Sequence, residues 1–435
     1  MRSICFFVCI LIFTACKKSA DNSNSNPGPT LPSTTTPQFS MAWQKALGGS
    51  GIDIMNSCAP TPDGGCIITG QTSSNDGDVT GLHSKSDIWI VKLSSNGSIE
   101  WQKALGGSGS EEAYSITATS DGGYALTGWT TSTDGDAGSG FHGGNFADLW
   151  IVKLNSSGNI VWQKILGGSM GDYGRSIIEI PGGGFVVAGY TLSNDGDVSG
   201  HHGLQDAWII KLENNGSIVW KKTIGGTNID LAFSIIATSD GGYLVAGASK
   251  SNDGDVSGNH GDLDFWIVKL NSAGNMSWQK SLGGSGRDIA NSIVATADGS
   301  YLICGETESN NEDVSGNHGG VDAWLVKLTN NGNITWKKTV GGPSNEGANS
   351  ITTAQADNYV IAGTVVEDFW TVKVGADGNM IEQKYFGGTA FDAASAVIKT
   401  TDDRFIAVGM AASNNGYITG YHGGNYDGWA VKFKF

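Results

Sequence analysis

Residues able to do chemistry recur in this chain at fixed intervals. The stretch "SNDGDVSGNHG" (residues 251–261) holds two carboxylates two residues apart, three glycines and a histidine. A near copy, "SNDGDVSGHHG", occupies residues 193–203. Four D-G-D pairs are present: Asp76 and Asp78, Asp134 and Asp136, Asp195 and Asp197, Asp253 and Asp255. A fifth place has Asn311 and Asp313, and another has Asn415 and Tyr417. Carboxylates so spaced could offer hard oxygens to Ca²⁺, although an EF-hand's D-x-D-x-D-G opening and closing Glu are missing. The alternative makes them Asx-turns that fold the loop on itself. The sequence favours the turns, and Ca²⁺ is the only cofactor it raises. Six of the seven histidines share one loop position: His83, His142, His202, His260, His318 and His422. One histidine per loop does not give zinc-ligand spacing, so each is expected to bond within its own loop.

A second series is acidic. After each double glycine stand Asp53, Glu111, Asp172, Asp230, Asp288, Glu346 and Asp392. Near a central axis they would ring a channel mouth, where they could attract cations or supply a carboxylate pair for glycoside hydrolysis. Sevenfold equivalence points instead to local turn caps, because catalysis needs one asymmetric constellation. Asymmetry appears at two other positions. One reads Gln71, Trp129, Tyr190, Ala248, Glu306, Thr364 and Met410; the other Asn56, Tyr114, Arg175, Phe233, Asn291, Asn349 and Ser395. Trp129, Tyr190, Tyr114 and Arg175 fall within the first three units. Aromatic faces with one arginine suit stacking on sugar rings or gripping a peptide. Packing between units is the competing use.

The repeats explain why these positions recur. Tryptophan appears in D-x-W at Trp89, Trp150, Trp208, Trp266, Trp324, Trp370 and Trp429, with a preceding Asp at 87, 148, 206, 264, 322, 368 and 427. A second series, W-x-K, begins at Trp43, Trp101, Trp162, Trp220, Trp278 and Trp336, with Glu382 in the seventh place. Each unit carries four short apolar runs divided by D-G and N-x-x-G turns, whose glycines supply positive φ. Unit six lacks the long loop: "AGTVVEDFW" joins two runs directly. Seven such units predict an all-β, seven-bladed β-propeller of four-stranded antiparallel blades. The chain opens on a fourth-type run, "MAWQKALGG", and ends on a third-type run, "WAVKFKF". The first strand is therefore expected to complete the last blade and close the ring, removing two sheet edges. A β-solenoid would need shorter coils.

Composition narrows the partners. The 435 residues include 66 Gly and 8 Pro, with a net charge of −16 and arginine only at Arg2, Arg175, Arg287 and Arg404. Such a chain repels phosphate backbones, so nucleic acid is not an expected partner. Arg2 and the apolar residues 4–13 read as a signal peptide. Phe13-Thr14-Ala15-Cys16 resembles a bacterial lipobox, which implies lipidation at Cys16 and attachment to an outer membrane or cell surface. The expected domains are a leader (1–15), a Pro/Ser/Thr-rich tether (16–40) and the propeller (41–435), which is expected to be a monomer. A flexible tether of this length would span roughly 25–30 Å. Cys58, Cys66 and Cys304 are expected as buried thiols.

The units "DGGYLVAGAS", "DFWIVKL" and "SWQKSLGG" resemble a family of secreted or lipid-anchored propellers of Bacteroidetes-like bacteria. The resemblance covers about residues 41–435. It implies the propeller fold, and an endoglucanase-like label on some relatives points toward polysaccharides. The turn "TSDGGY" loosely matches a sialidase Asp-box, but of the three arginines in the mature chain Arg404 falls in a first-to-second hairpin, on the opposite face from Arg175 and Arg287, so an arginine triad is not expected to form. No G-x-S-x-G, H-E-x-x-H or P-loop pattern is present. The expected function is a lipid-anchored, non-catalytic binding or scaffold module with a glycan or protein ligand on its loop-rich face. The alternative is a polysaccharide hydrolase using carboxylates of that face.

Overall fold

Runs of about seven residues, rich in Ile, Val and Trp and bounded by glycine turns, form strands because branched and aromatic side chains suit a pleated surface buried on both sides. The computed structural model describes residues 39–435, apart from 139, 143 and 145. The leader, Cys16 and most of the expected tether lie outside the described residues. Seven four-stranded antiparallel sheets result. Blade one spans 53–105, blade two 111–166, blade three 172–224, blade four 230–282, blade five 288–340 and blade six 346–386. Blade seven combines β26 (Asp392–Lys399), β27 (Phe405–Ala411) and β28 (Asp427–Lys434) with β1 (Ser40–Leu47).

The order β1–β28–β27–β26 confirms closure of the ring by the N-terminal strand. Pairing runs from Ser40↔Lys434 to Leu47↔Gly428. The folded part starts slightly ahead of Met41, since Phe39 stacks on Phe433 and packs against Phe386 and Phe435. The only helical element among the described residues is one turn, Gln355–Asp357.

The core lies between blades. Each D-x-W tryptophan is buried against the preceding blade; Trp150, for example, packs with Ile67, Ile88 and Ile90 of blade one. Burying one large apolar side chain is worth about 1.5–3 kcal/mol, so each junction has its own hydrophobic anchor. The W-x-K tryptophans do a different job. Trp162 lies against Gly216 in the hairpin of the next blade, and its Nε1 donates to Asn214 O at 3.0 Å. Trp43 and Trp336 donate likewise to Ser95 O and Ala376 O. Blade seven has no such hairpin, because its outer strand comes from the N-terminus. The tryptophan that would stack on it is replaced by Glu382.

Cys58, Cys66 and Cys304 are free and buried, and burial pushes the Cys66 thiol up to about 12.

Candidate functional site

Antiparallel pairing puts the double-glycine connections and the long loops on one face. The seven acids after the double glycines do not line the channel mouth there. Asp53, Glu111, Asp172, Asp230, Asp288 and Asp392 are fully buried, and Glu346 is 5% exposed. Each accepts a hydrogen bond from the second glycine's N–H, from Gly49 N to Asp53 at 2.8 Å through Gly388 N to Asp392 at 2.8 Å. Hydroxyls complete the shell of every one of these acids but Glu346; Thr130 and Ser132, for example, donate to Glu111 at 2.8 and 2.6 Å. The channel-mouth expectation fails because these short side chains turn back under their own loops, where N–H and O–H donors compensate for lost water.

The D-x-W acids lie beside them. A Cβ on Gly106 would come within 2.4 Å of Glu111 Oε2 and 2.6 Å of Asp87 Oδ1. A glycine is required there because two carboxylates from successive blades converge on it. Asp87 Oδ2 accepts from His83 N at 3.0 Å and meets His83 Nδ1 at 2.6 Å. The same His–Asp contact recurs at His142–Asp148, His202–Asp206, His260–Asp264, His318–Asp322 and His422–Asp427. Asp87 holds the His83 imidazole above its ordinary range. On their other edge, His83, His142, His260 and His422 reach toward Asp136, Asp197, Asp313 and Asp78 of the next blade, at 3.3–3.9 Å.

The D-G-D acids are likewise engaged one by one. Asp76, Asp134, Asp195 and Asp253 cap the connection after the double glycine, accepting from N–H groups of Ser50, Ser108, Ser169 and Thr227 at 2.7–2.8 Å. Asp78 faces Lys45 at 3.5 Å, Asp197 faces Lys221 at 2.9 Å, and Asp255 Oδ2 accepts from Gly225 N at 3.3 Å. Among the described residues no three His, Cys, Asp or Glu side chains converge so as to hold a metal ion. The eight acids raised as calcium ligands are therefore spread along the loops.

Blade six lacks the loop, and the junction after it changes on both sides. Tyr417 replaces the second acid that would meet a histidine. Here a cavity of about 420 Å³ opens, lined by Gly387, Gly388, Thr389, Asn415, Gly416 and Tyr417. The amides of Gly388, Thr389 and Tyr417 are already bonded, so the polar lining offers little.

The channel is more distinctive. On every innermost strand the register slips by one residue, as between Gly174 and Ser176. The extra residue of such a bulge is re-aimed relative to its strand neighbours. These residues are Asn56, Tyr114, Arg175, Phe233, Asn291, Asn349 and Ser395. Asn56, Asn291 and Asn349 each donate to a carbonyl of the next blade, at 2.8–3.0 Å. In blades two to four this stitch is replaced by Tyr114, Arg175 and Phe233. The Arg175 guanidinium lies 3.9 Å from the Tyr114 ring centroid and 5.3 Å from that of Phe233. Trp129 Nε1 donates to Tyr114 Oη at 3.3 Å, and that hydroxyl donates to Glu112 Oε2 at 3.0 Å. Tyr190 pairs with Tyr173 at 5.0 Å between centroids, and Tyr173 meets Trp129 at 6.4 Å.

Trp129, Tyr190, Tyr114 and Arg175, singled out from the sequence, thus stand in one cluster with Glu112, Tyr173 and Phe233. Burial raises Glu112, Tyr114 and Tyr190 above their ordinary values. Glu112 and Tyr173 escaped the sequence reading. The signal was there: both directly follow the repeated acid, at a position otherwise held by Ile54, Leu231, Ile289, Gly347 and Ala393.

The strand pairing and closure define the class: a closed seven-bladed β-propeller whose channel carries one aromatic, arginine-bearing sector. No family model matches the chain. A curated relative, "Regulatory protein FlaEY" of Caulobacter vibrioides, is 25% identical over 189 residues, which is 40% of this chain and 20% of that protein. The chain thus matches about a fifth of that relative's length. Solved structures with similarity include BamB of Moraxella catarrhalis (TM-score 0.42, 13% identity, 91% of this chain and 88% of that one). A Bacteroides caccae protein of unknown function gives TM-score 0.39 at 14% identity, over 70% of this chain and 94% of that one. The Pan2 WD40 domain of Neurospora crassa gives 0.47 at 7% identity, over 91% and 94%.

Proposed function

We propose that this protein is a non-catalytic binding module, held at an outer membrane or cell surface through Cys16 and a 16–40 tether, that binds a glycan at the channel sector of blades two to four. The supporting observation is the break in symmetry. Three consecutive blades replace the small bulge residue with Tyr114, Arg175 and Phe233, while Trp129 and Tyr190 add rings beside them. Half-buried, rigid aromatics suit sugar rings, whose C–H faces stack on them at little entropic cost. The repeated carboxylates are buried and hydrogen-bonded, which favours binding over hydrolysis.

The test is a glycan array with the full chain in detergent, repeated with Trp129→Ala and Tyr190→Ala. Binding that both substitutions abolish is expected, with no reducing ends released from the bound glycan. Release of reducing ends would shift the assignment to the hydrolase, and binding unaffected by either substitution would move the site elsewhere.

A further inference from the structure

Arg175 differs from the other described arginines. Arg287 pairs with Glu306 at 2.7 Å and Glu308 at 3.4 Å, and Arg404 lies 3.6 Å from Asp402. Among the described residues no hydrogen bond or ion pair engages the Arg175 guanidinium; it lies against the Tyr114 and Phe233 rings and within the field of Glu112. Glu112, the nearest acid in its field, is occupied elsewhere. Its Oε1 accepts from Asn56 Nδ2 at 2.9 Å and its Oε2 from Tyr114 Oη at 3.0 Å. Five N–H donors on a permanently charged group are therefore left without a protein acceptor among the described residues. Rings from the two flanking blades restrain the guanidinium, so ligand binding would spend little rotamer entropy.

We propose that Arg175 anchors an anion subsite, and that the anion is the carboxylate of an acidic sugar. This rests on the glycan reading above and narrows it. A planar carboxylate matches the guanidinium edge with two parallel hydrogen bonds. A single arginine beside Glu112, in a chain of net charge −16, suits a monoanion better than a doubly charged phosphate. Trp129 and Tyr190 then lie where the sugar ring carrying that carboxylate would stack.

The test is calorimetry on the full chain with oligogalacturonate, oligomannuronate and sialyllactose, each beside its carboxyl-reduced counterpart. At least one acidic probe should bind, with its reduced form weaker by about tenfold or more, the loss of one charge-assisted contact. Arg175→Gln should erase that difference, and Arg175→Lys, which keeps the charge but not the fork, should recover only part of it. Both variants are to be checked for an unchanged thermal midpoint; should Gln not fold, Lys carries the test. Acidic and reduced probes binding equally well to the natural chain would overturn the subsite and leave the glycan reading standing. No oligosaccharide bound, with an acidic peptide bound instead, would overturn both.

Discussion

The indole Nε1 of Trp429 donates to Gln44 Oε1 at 2.8 Å, although Gln44 lies 385 positions earlier in the chain. The same contact joins Trp89 to Gln102 and Trp150 to Gln163 within continuous blades. The seam of the ring therefore reproduces the interior of an ordinary blade, with one strand donated from the other end of the folded part. Deleting residues 39–47 would leave β28 as a bare edge and uncover Phe433 and Phe435. Thermal unfolding should then begin well below that of the intact chain, with aggregation through the open edge. An unaltered melting curve would contradict ring closure.

The glycine at 106 separates two buried carboxylates. Gly106→Ala places a methyl group within 2.6 Å of both Glu111 Oε2 and Asp87 Oδ1. Overpacking of this kind costs about 1–3 kcal/mol. Gly122, in an exposed hairpin with no atom within 4 Å of its would-be Cβ, has φ +80°; Ala there pays only backbone strain, about 1 kcal/mol. Urea denaturation of the two variants should rank them in that order.

Stability should rise as pH falls from neutrality toward about 4. Burial lifts Asp172 and Asp264 to about 6 in the folded chain. A raised carboxyl contributes stability fully below its unfolded value and loses it as pH rises through the folded value. Below about 4 the trend should reverse. Lysines 92, 153 and 269 hold the carboxyls of Asp63, Asp121 and Asp240 at about 2, so those contributions fade as pH drops toward that value. These pairs are half-exposed on the acid side and screened, so the acid limb should be shallow. Urea midpoints from pH 3 to 8 test this, and Asp172→Asn should flatten the limb above pH 4.

Trp162 and Glu382 occupy equivalent places with opposite consequences. Trp162→Ala removes a ring from Gly216 and a hydrogen bond to Asn214 O, and should cost about 2 kcal/mol at this half-buried site. Glu382→Ala should change stability by less than about 0.5 kcal/mol, because no hairpin lies opposite it. Equal losses from both would contradict the account of why the seventh tryptophan is missing.

The repeat made the architecture legible. The spacing of D-x-W and W-x-K, the D-G and N-x-x-G turns, and the run types at the two ends depend on neighbours a few residues apart, and local preferences are written locally. The retained Asp368 and the missing loop of unit six were readable for the same reason. What became of the repeated acids was not: whether Glu111 faces a channel or turns beneath Gly107 depends on a carboxylate from the preceding blade and hydroxyls about 20 residues away. The departure at Glu112 was visible in the repeat, but its partnership with Asn56 was not, because Asn56 belongs to the preceding blade.

By itself the sequence determined seven antiparallel blades, their closure and which positions depart from the repeat. Only the tertiary structure decided which departures meet, burying the seven equivalent acids while bringing Trp129, Tyr173, Tyr190 and Arg175 together. The physical reason is that strand period and turn chemistry act over a few residues. Side-chain orientation at a bulge, desolvation and stacking are fixed only when neighbouring blades, some 60 residues apart in the chain, pack side by side.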